Sequence, residues 1–264
     1  MAETYELYAL KYAHHPRTAS HNFLSGDPHD GPMPLDYFVW LARSPARTFV
    51  IDTGFGAASA SKRGRTLLRS PVEALRLLGV EADEIRDVII THLHYDHVGN
   101  FDLFPKAIFH LQELEMAFAT GRHMANAFMR EAYEVENVVG IVREVYKERA
   151  RFYNGDAELA PGISVHLIGG HTMGLQVVRV NTRRGRVVIA SDASHFYANM
   201  VERRPFPIVY SVGDMIQGWD RLLHLADSPE HVIPGHDPEV GRRYPAPSKE
   251  LAGIVIQLDV NPAT

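Results

Sequence analysis

The alternation of hydrophobic and polar positions predicts a chain in which strands and helices follow one another. Residues 5–12 alternate as a half-buried strand does, and residues 36–41 and 48–52 predict two more strands. The apolar, β-branched run at residues 88–91 is typical of a buried strand. Residues 71–78 have helical spacing, with Pro71 at the start and Gly79 as a stop.

The second half of the pattern returns to strands after a helical stretch. Residues 107–111 predict a strand, and residues 113–142 are mostly helical in composition, with a break at Gly121. Strands are expected at 164–168, 176–181, 186–191 and 231–233, with an amphipathic helix at 212–227. A residue able to bind a metal follows the strands that end near 91, 168, 191 and 233. The pattern predicts one α/β domain over residues 1–264, with a site where strand ends meet.

Composition narrows the classes of function. The chain has 264 residues, 45% of them hydrophobic and 22% charged, as in a compact globular protein. A net charge of −5 argues against a nucleic acid or an anionic membrane as partner and favours a small molecule with little or no charge. No stretch approaches the ~20 apolar residues of a membrane span, and the first residues do not resemble a secretory signal. The cytoplasm is therefore the expected location.

The candidate chemistry lies in the histidines. The chain has no cysteine, so nitrogen and oxygen must hold any metal. Among its 15 histidines, the run HLHYDH at residues 92–97 directly follows a predicted strand. In an extended segment His92 and His94 share one face and can reach one metal, while Asp96 and His97 lie past the turn and can address a second. The alternative is a solvated, histidine-rich loop that binds no metal.

The wider pattern resembles the metallo-β-lactamase superfamily, from IDTG at residues 51–54 to GHD at residues 235–237. The resemblance implies a four-layer αββα sandwich, in which two mixed β-sheets lie between helices. It also implies a site for two metal ions. The ligands that it assigns are His92, His94 and His171 for one metal, Asp96, His97 and His236 for the other, and Asp192 as the bridge. Zinc is the expected metal, although iron, manganese or cobalt would accept the same ligands.

Within the superfamily the chain most resembles the N-acyl homoserine lactonases. The segments THLHYDH at residues 91–97 and SDAS at residues 191–194, with the spacing to Asn199, carry this resemblance. Such lactonases usually have a tyrosine three residues after the bridging aspartate, where its phenol reaches the substrate carbonyl. This chain has His195 there and Tyr197 two residues further on, and either can supply the hydrogen bond. Position favours His195, and the alternative is that its ring only packs beneath the site.

The resemblance implies a hydrolase that opens a lactone ring, with an N-acyl homoserine lactone as the first candidate, by attack of a hydroxide that bridges two metals. Asp96 is expected to carry the proton to the leaving oxygen. The alternatives are hydrolysis of another cyclic ester, amide or thioester, and an iron-dependent oxidoreductase on the same fold. Because similar lactonases are often dimers, a homodimer is also suggested.

Several other residues have two interpretations. Asp52 could orient a histidine ligand, or it could form the turn before Thr53, and the two roles are compatible. The N-terminal histidines are expected at the surface or the pocket rim rather than on the metals; they are His14, His15, His21 and His29. Met124, Phe128 and Met129 could line a substrate pocket, although core packing is the commoner fate of such residues.

Overall fold

The computed structural model describes residues 3–263, which form two β-sheets and their flanking helices. The strands are β1 (Glu6–His15), β2 (Leu35–Arg43), β3 (Thr48–Ile51), β4 (Thr66–Leu67), β5 (Asp87–Ile89), β6 (Ile108–Gln112), β7 (Ala150–Tyr153), β8 (Ala157–Ala160), β9 (Ile163–Leu167), β10 (Gln176–Thr182), β11 (Gly185–Ser191), β12 (Val232–Pro234) and β13 (Val255–Gln257). The prediction of one domain over residues 1–264 extends past the described residues at both ends and stays a prediction.

Both sheets are mixed. The 8-stranded sheet has the order β13-β1-β2-β3-β5-β6-β7, with β4 on β1. Its strands β3, β5, β6 and β7 run parallel, while β1, β2 and β13 pair antiparallel. The 5-stranded sheet has the order β12-β11-β10-β9-β8, and only β11 and β12 are parallel within it. Each sheet therefore has a pair of parallel strands whose carboxyl ends meet at one edge.

The helices are α1 (Ala57–Arg63), α2 (Pro71–Arg76), α3 (Tyr95–Val98), α4 (Glu113–Thr120), α5 (Val135–Tyr146), α6 (Tyr197–Val201), α7 (Val212–Leu225) and α8 (Glu239–Arg243). The start of α2 follows from its sequence, because the Glu73 carboxylate accepts the backbone N–H of Ser70 at 2.9 Å, next to Pro71 in the first turn. No described helix is both long and apolar enough to cross a bilayer.

Three apolar layers hold the sheets and helices together. Neighbouring residues on a strand face opposite sides, so Trp40 of β2 packs between the sheets while Val39 packs against the helices outside the larger sheet. In the smaller sheet, Ile189 of β11 faces the space between the sheets and Val188 faces Trp219 of α7. The order of layers is helices, sheet, sheet and helix, which confirms the predicted αββα sandwich.

The helical stretch predicted over residues 113–142 breaks at Gly121, as expected, but the interruption is longer than predicted and extends to residue 134. Helix α4 ends before Gly121, where a Cβ would meet the carbonyl oxygen of Ala117 at 2.5 Å, and regular α-helix resumes only with α5. Between them the chain forms short turns that bring Phe128 and Met129 to a cavity. The elements that the pattern did not predict, including β7, β8 and α1, are short and carry charged or small residues rather than an apolar stripe.

Candidate metal centre

The predicted ligands stand at the ends of parallel strands in both sheets. In the larger sheet β3 and β5 are parallel, so Asp52 after β3 and His92 after β5 reach the same edge. In the smaller sheet β11 and β12 are parallel, and they bring Asp192 and His236 to one edge. His171 lies in the loop between β9 and β10. The topology therefore gathers side chains that are far apart in the sequence.

A first cluster joins three imidazoles and one carboxylate. The Nδ1 atom of His94 lies 3.0 Å from Nε2 of His92 and 2.9 Å from Nε2 of His171. The Oδ2 atom of Asp192 lies 3.2 Å from Nε2 of His171 and 3.8 Å from Nε2 of His92. These atoms all lie within 4.8 Å of one another on buried residues, so they could hold one metal ion.

A second cluster uses the other oxygen of Asp192. Its Oδ1 atom lies 3.4 Å from Nε2 of His97 and 3.0 Å from Nε2 of His236. The Oδ2 atom of Asp96 lies 3.7 Å from each of the same two nitrogens. Within residues 3–263, Nε2 of His97 and Oδ1 of Asp192 are buried and have no hydrogen-bond partner. Buried polar atoms of this kind require a partner, and a metal ion between them would fit.

Hydrogen bonds to the backbone hold two of the histidine rings in the orientation that the cluster needs. The Nδ1–H group of His171 donates to the carbonyl of Ile208 at 2.6 Å, and Nδ1–H of His236 donates to the carbonyl of Asp36 at 2.9 Å. A carbonyl can only accept, so each of these rings carries a proton on Nδ1, and it is Nε2 that faces the cluster and can offer a lone pair when the ring is neutral. The backbone thus sets the tautomer that a metal needs.

The structure supports the first interpretation of Asp52, that it orients a histidine ring, whereas its carboxylate accepts from Thr91 and not from the backbone amides that follow it. Its Oδ2 atom accepts from Nδ1 of His97 at 2.7 Å, which orients that ring, and its Oδ1 atom accepts the backbone N–H of Thr91 at 2.8 Å. Asp52 also adopts φ 60°, in the left-handed region, as does Ser191 with φ 46° just before Asp192. Non-glycine residues rarely adopt this conformation, and it occurs here on both sides of the centre.

Gly235 permits the close approach of the last ligand. A Cβ at this position would lie 2.7 Å from the carbonyl oxygen of Ser191 and 2.8 Å from Oδ1 of Asp192. Any larger residue would therefore push β12 and His236 away from the carboxylate. The tripeptide PGH at residues 234–236 brings the His236 ring to Asp192 because it lacks a side chain at its middle position.

Glu115 connects two loops that carry predicted ligands, and the sequence pattern does not single it out. Its fully buried carboxylate accepts the backbone N–H of Leu93 and the phenol of Tyr133, each at 2.9 Å, through Oε1. Oε2 accepts the hydroxyl of Thr172 at 2.5 Å. One side chain thus ties the loop that carries His92 and His94 to the loop that carries His171. No motif marks Glu115, since it lies within a stretch whose composition predicts only helix.

Burial and the carboxylates set the charge of the two clusters. Burial lowers the pKa of His92 and His94 well below that of free histidine, so both rings are neutral and can offer a lone pair. Burial opposes protonation of His97 and His236, but the nearby carboxylates, Asp192 first and then Asp96, together outweigh it and raise the pKa of both rings. The second cluster therefore attracts positive charge, which a metal ion would supply in place of protons.

The two candidates for the substrate hydrogen bond lie in different surroundings. His195 is buried beside the clusters, with Nε2 at 3.0 Å from Oδ2 of Asp192 and its ring stacked on Phe206 at 3.6 Å. Burial lowers the pKa of His195 to about 3. Tyr197, in contrast, packs in the core between the sheets under the guanidinium of Arg243, and its hydroxyl is buried with no partner in the described chain. Tyr197 does not line the cavity described next, so its position does not suit the expected contact with substrate.

A cavity of about 790 Å³ opens above the metal centre. The predicted ligands His94, Asp96, His171, Asp192 and His236 lie on its wall, together with His195. Its apolar lining residues include Phe118, Phe128, Met129, Ile208, Val209 and Tyr210. Its polar lining residues include His15, Arg17, His21, Arg63 and Arg65. Of the four N-terminal histidines, His15 and His21 therefore lie on the cavity wall, which agrees with their predicted position at the pocket rim.

The chain belongs to the metallo-β-lactamase superfamily, whose sequence profile matches residues 33–236. Within it the chain is similar to N-acyl homoserine lactonases. The lactonase AiiB of Agrobacterium fabrum is 33% identical over 231 residues, which cover 76% of this chain and 79% of AiiB. The predicted resemblance to this group is confirmed.

Solved structures show the same fold. The crystal structure of a quorum-quenching N-acyl homoserine lactone lactonase superposes with a TM-score of 0.75 at 22% identity, covering 90% of this chain and 95% of that one. AidC, a dizinc quorum-quenching lactonase solved with a product bound, gives a TM-score of 0.68 at 16% identity, covering 100% of this chain and 96% of AidC. These structures share the predicted metallo-β-lactamase architecture.

Proposed function

We propose that this chain is a metal-dependent hydrolase that opens a lactone ring, with an N-acyl homoserine lactone as the first candidate substrate. The observation that carries the proposal is the position of Asp192, whose two oxygens face two different groups of imidazoles at the base of the cavity. The similarity to N-acyl homoserine lactonases supports the type of bond. The apolar lining residues of the cavity, which include Phe118 and Ile208, suit an acyl chain.

The proposed ligands form two sets that share Asp192. The first set is His92, His94, His171 and Asp192, and the second is Asp96, His97, His236 and Asp192. We propose zinc in both positions because imidazole and carboxylate suit it, and because AidC, on the same fold, is described as a dizinc enzyme. When bound, such ions would lower the pKa of water at the site and polarise the substrate carbonyl.

The cavity residues of the chain position substrate and protons. Asp96 lines the cavity and lies at the edge of the second cluster, where its carboxylate can carry a proton to the leaving oxygen. In the neutral ring of His195, Nε2–H donates to Asp192, so Nδ1 has no proton to give to a carbonyl. We therefore propose that His195 accepts a hydrogen bond from the substrate, such as that of an amide N–H, rather than donating one.

A metal count combined with a substrate panel tests the proposal. Two zinc ions per chain and release of acid from lactones are the expected results. Hydrolysis of aryl esters, β-lactams or thioesters without hydrolysis of lactones would remove the lactone assignment and leave the hydrolase. One iron per chain with visible absorbance and no hydrolysis would instead favour an oxidoreductase.

The remaining expectations need separate measurements. The cytoplasmic location and the homodimer suggested by similar lactonases stay predictions. Cell fractionation measures the location, and light scattering of the purified protein measures the oligomeric state.

A further inference from the structure

The cavity contains a cationic region that its metal centre does not explain. Arg17 and Arg65 are half-buried and line the same cavity as the metal ligands, with His15 beside them. The net charge of the whole chain is −5, so this concentration of positive charge is local. A substrate of little charge, which the overall composition favours, gives no reason for it.

Neither guanidinium has a carboxylate partner in the described part of the chain. Arg65 donates through Nε to the phenol of Tyr95 at 3.2 Å and through Nη1 to Nε2 of His15 at 3.0 Å, while Arg17 donates to the carbonyl of His21 at 2.5 Å. Arg63 on the same wall differs, since its Nε pairs with Glu134 at 3.1 Å. Among residues 3–263, Nη2 of Arg65 and the Nε and Nη1 atoms of Arg17 donate no hydrogen bond.

The groups around the two arginines add donors rather than negative charge. His15 accepts from Arg65 through Nε2, so its own proton is on Nδ1, which is buried and has no partner in the described chain. Burial, and then Arg65 and Arg17, lower the pKa of His15 to about 4, so the ring is neutral at physiological pH. Three acids share the wall: Asp96 and Asp192 belong to the metal clusters, and Glu131 is exposed and forms no ion pair among the described residues. Asp96 is close enough to favour the charged form of Arg65, but it is not paired with it. Two nearby cations that are not paired with a carboxylate repel each other, and a bound anion would relieve that repulsion.

The cationic region is one side chain away from the metal centre. The phenol of Tyr95 accepts from Arg65, and the next residue along the chain is Asp96 of the second cluster. The ring of Tyr37, whose hydroxyl is 3.5 Å from that of Tyr95, also packs on His236 with centroids 4.9 Å apart. A small molecule held by the arginines could therefore place another part of itself over the metals.

We propose that Arg17 and Arg65 form a binding site for a carboxylate on the non-reacting part of the substrate. Planar guanidinium groups pair with carboxylates through two parallel hydrogen bonds, which sets orientation as well as affinity. The inference rests on the proposed lactone hydrolysis and narrows its substrate class to lactones that carry a carboxylate on the ring or on a side arm. The apolar lining residues of the cavity would then contact the rest of the molecule.

Calorimetry on the metal-loaded protein tests the site without any reaction. The probe is tetrahydrofuran-2-carboxylate, which has the ring and the carboxylate but no ester bond, and its neutral carboxamide is the comparison. We expect Arg17→Gln and Arg65→Gln each to weaken binding of the carboxylate by about tenfold, with carboxamide binding unchanged and Arg65→Lys intermediate. Arg203→Gln, which removes an exposed arginine paired with Asp220, is the control and should bind as wild type does. Equal carboxylate affinity in all variants, or none in the wild type, would overturn the proposal.

A kinetic comparison separates this inference from the proposed function. The substrates are 5-oxotetrahydrofuran-2-carboxylate and its methyl ester, which share the lactone and differ in charge. We expect the wild type to prefer the carboxylate through a lower KM, and the two glutamine variants to lose that preference while still hydrolysing the methyl ester's ring. If the carboxylate binds in a way that depends on the arginines but no lactone is hydrolysed, the proposed function is contradicted and the carboxylate-binding site is supported. Lactone hydrolysis with a preference that neither variant changes would contradict the carboxylate-binding site alone. Unfolding temperatures show whether each variant is folded.

Discussion

The metal clusters and the outer wall of the cavity are built in different ways. The cluster residues are buried, stand at strand ends, and are oriented by backbone carbonyls or carboxylates. The wall is formed near residues 15–21, 63–65, 128–132 and 208–210 together with Phe118 of α4, and its arginines are half-buried. A buried base and a wall made largely of loops meet in one cavity. We therefore expect the metal clusters to determine the type of reaction and the wall to determine which substrate binds.

The comparison also explains why the charge of the whole chain misleads. Its net value of −5 includes carboxylates that lie inside the metal centre and acids that are paired at the surface. The cavity wall instead presents Arg17 and Arg65 without carboxylate partners among the described residues. A substrate meets this local charge rather than the sum over the molecule.

The largest effect is expected from removing Asp192, the proposed bridge between the two metals. Asp192→Ala takes one ligand from each cluster, so we expect loss of both metals and a fall in kcat/KM of about 10³-fold or more, since metal ions supply several kcal/mol of transition-state stabilisation. Elemental analysis and lactone kinetics measure the two outcomes. Asp220→Ala, which alters an exposed aspartate, is the control. A fully active Asp192→Ala enzyme would show that Asp192 does not bridge the metals.

A smaller and more selective effect is expected at Asp52. In Asp52→Asn an amide N–H can face Nδ1–H of His97, so the ring loses its acceptor, and we expect affinity for the second metal to fall by about 10–100-fold. The first metal should remain bound, and competition with a chelator measures both affinities. Asp87→Asn changes a similar aspartate–histidine contact away from the site and should leave both affinities unchanged. Equal weakening of both metals would contradict the separate roles of the two clusters.

A substitution of Glu115 tests whether its hydrogen bonds between the two ligand loops stabilise the metal clusters. Glu115→Gln replaces an acceptor-only group with an amide that cannot accept all four of its present hydrogen bonds, from Leu93, Tyr133, Thr172 and Gly174. We expect unfolding to become easier by about 1–3 kcal/mol and affinity for the first metal to fall. Thermal unfolding and metal titration measure these changes. Glu113→Gln, an exposed neighbour in α4, should alter neither, and an unchanged Glu115→Gln protein would show that this tie is dispensable.

The smallest effect is expected on the apolar part of the wall. Phe128 is 59% exposed, so Phe128→Ala should raise KM for a long-chain acyl lactone by only about threefold, because a partly exposed ring buries little area on a ligand. KM for a short-chain lactone and the metal content should not change. Leu24→Ala, which truncates another exposed apolar residue outside the cavity lining, is the control. A matching rise for both lactones would show that Phe128 does not contact the acyl chain.

The sequence by itself determined the kinds of ligand and the class of fold. Hydrophobic residues recur with a period of two in strands and with a longer period in helices, so the pattern predicts most of the larger elements. The run at residues 92–97 is local, and its chemistry can be recognised before anything is folded. The resemblance then extended it to His171, Asp192 and His236. The short edge strands and the loop between α4 and α5 could not be predicted, because tertiary contacts rather than local periodicity hold them.

Only the tertiary structure decided which atoms meet. It turned one oxygen of Asp192 toward each cluster, and it placed His195 beside the cavity and Tyr197 in the core. It also brought Glu115 between two ligand loops and placed Arg17 near Arg65. Glu115 is distant in the sequence from at least one of the loops that it connects, Arg17 is distant from Arg65, and no motif links them. Their proximity follows from sheet topology and from burial, which no single segment of the chain encodes.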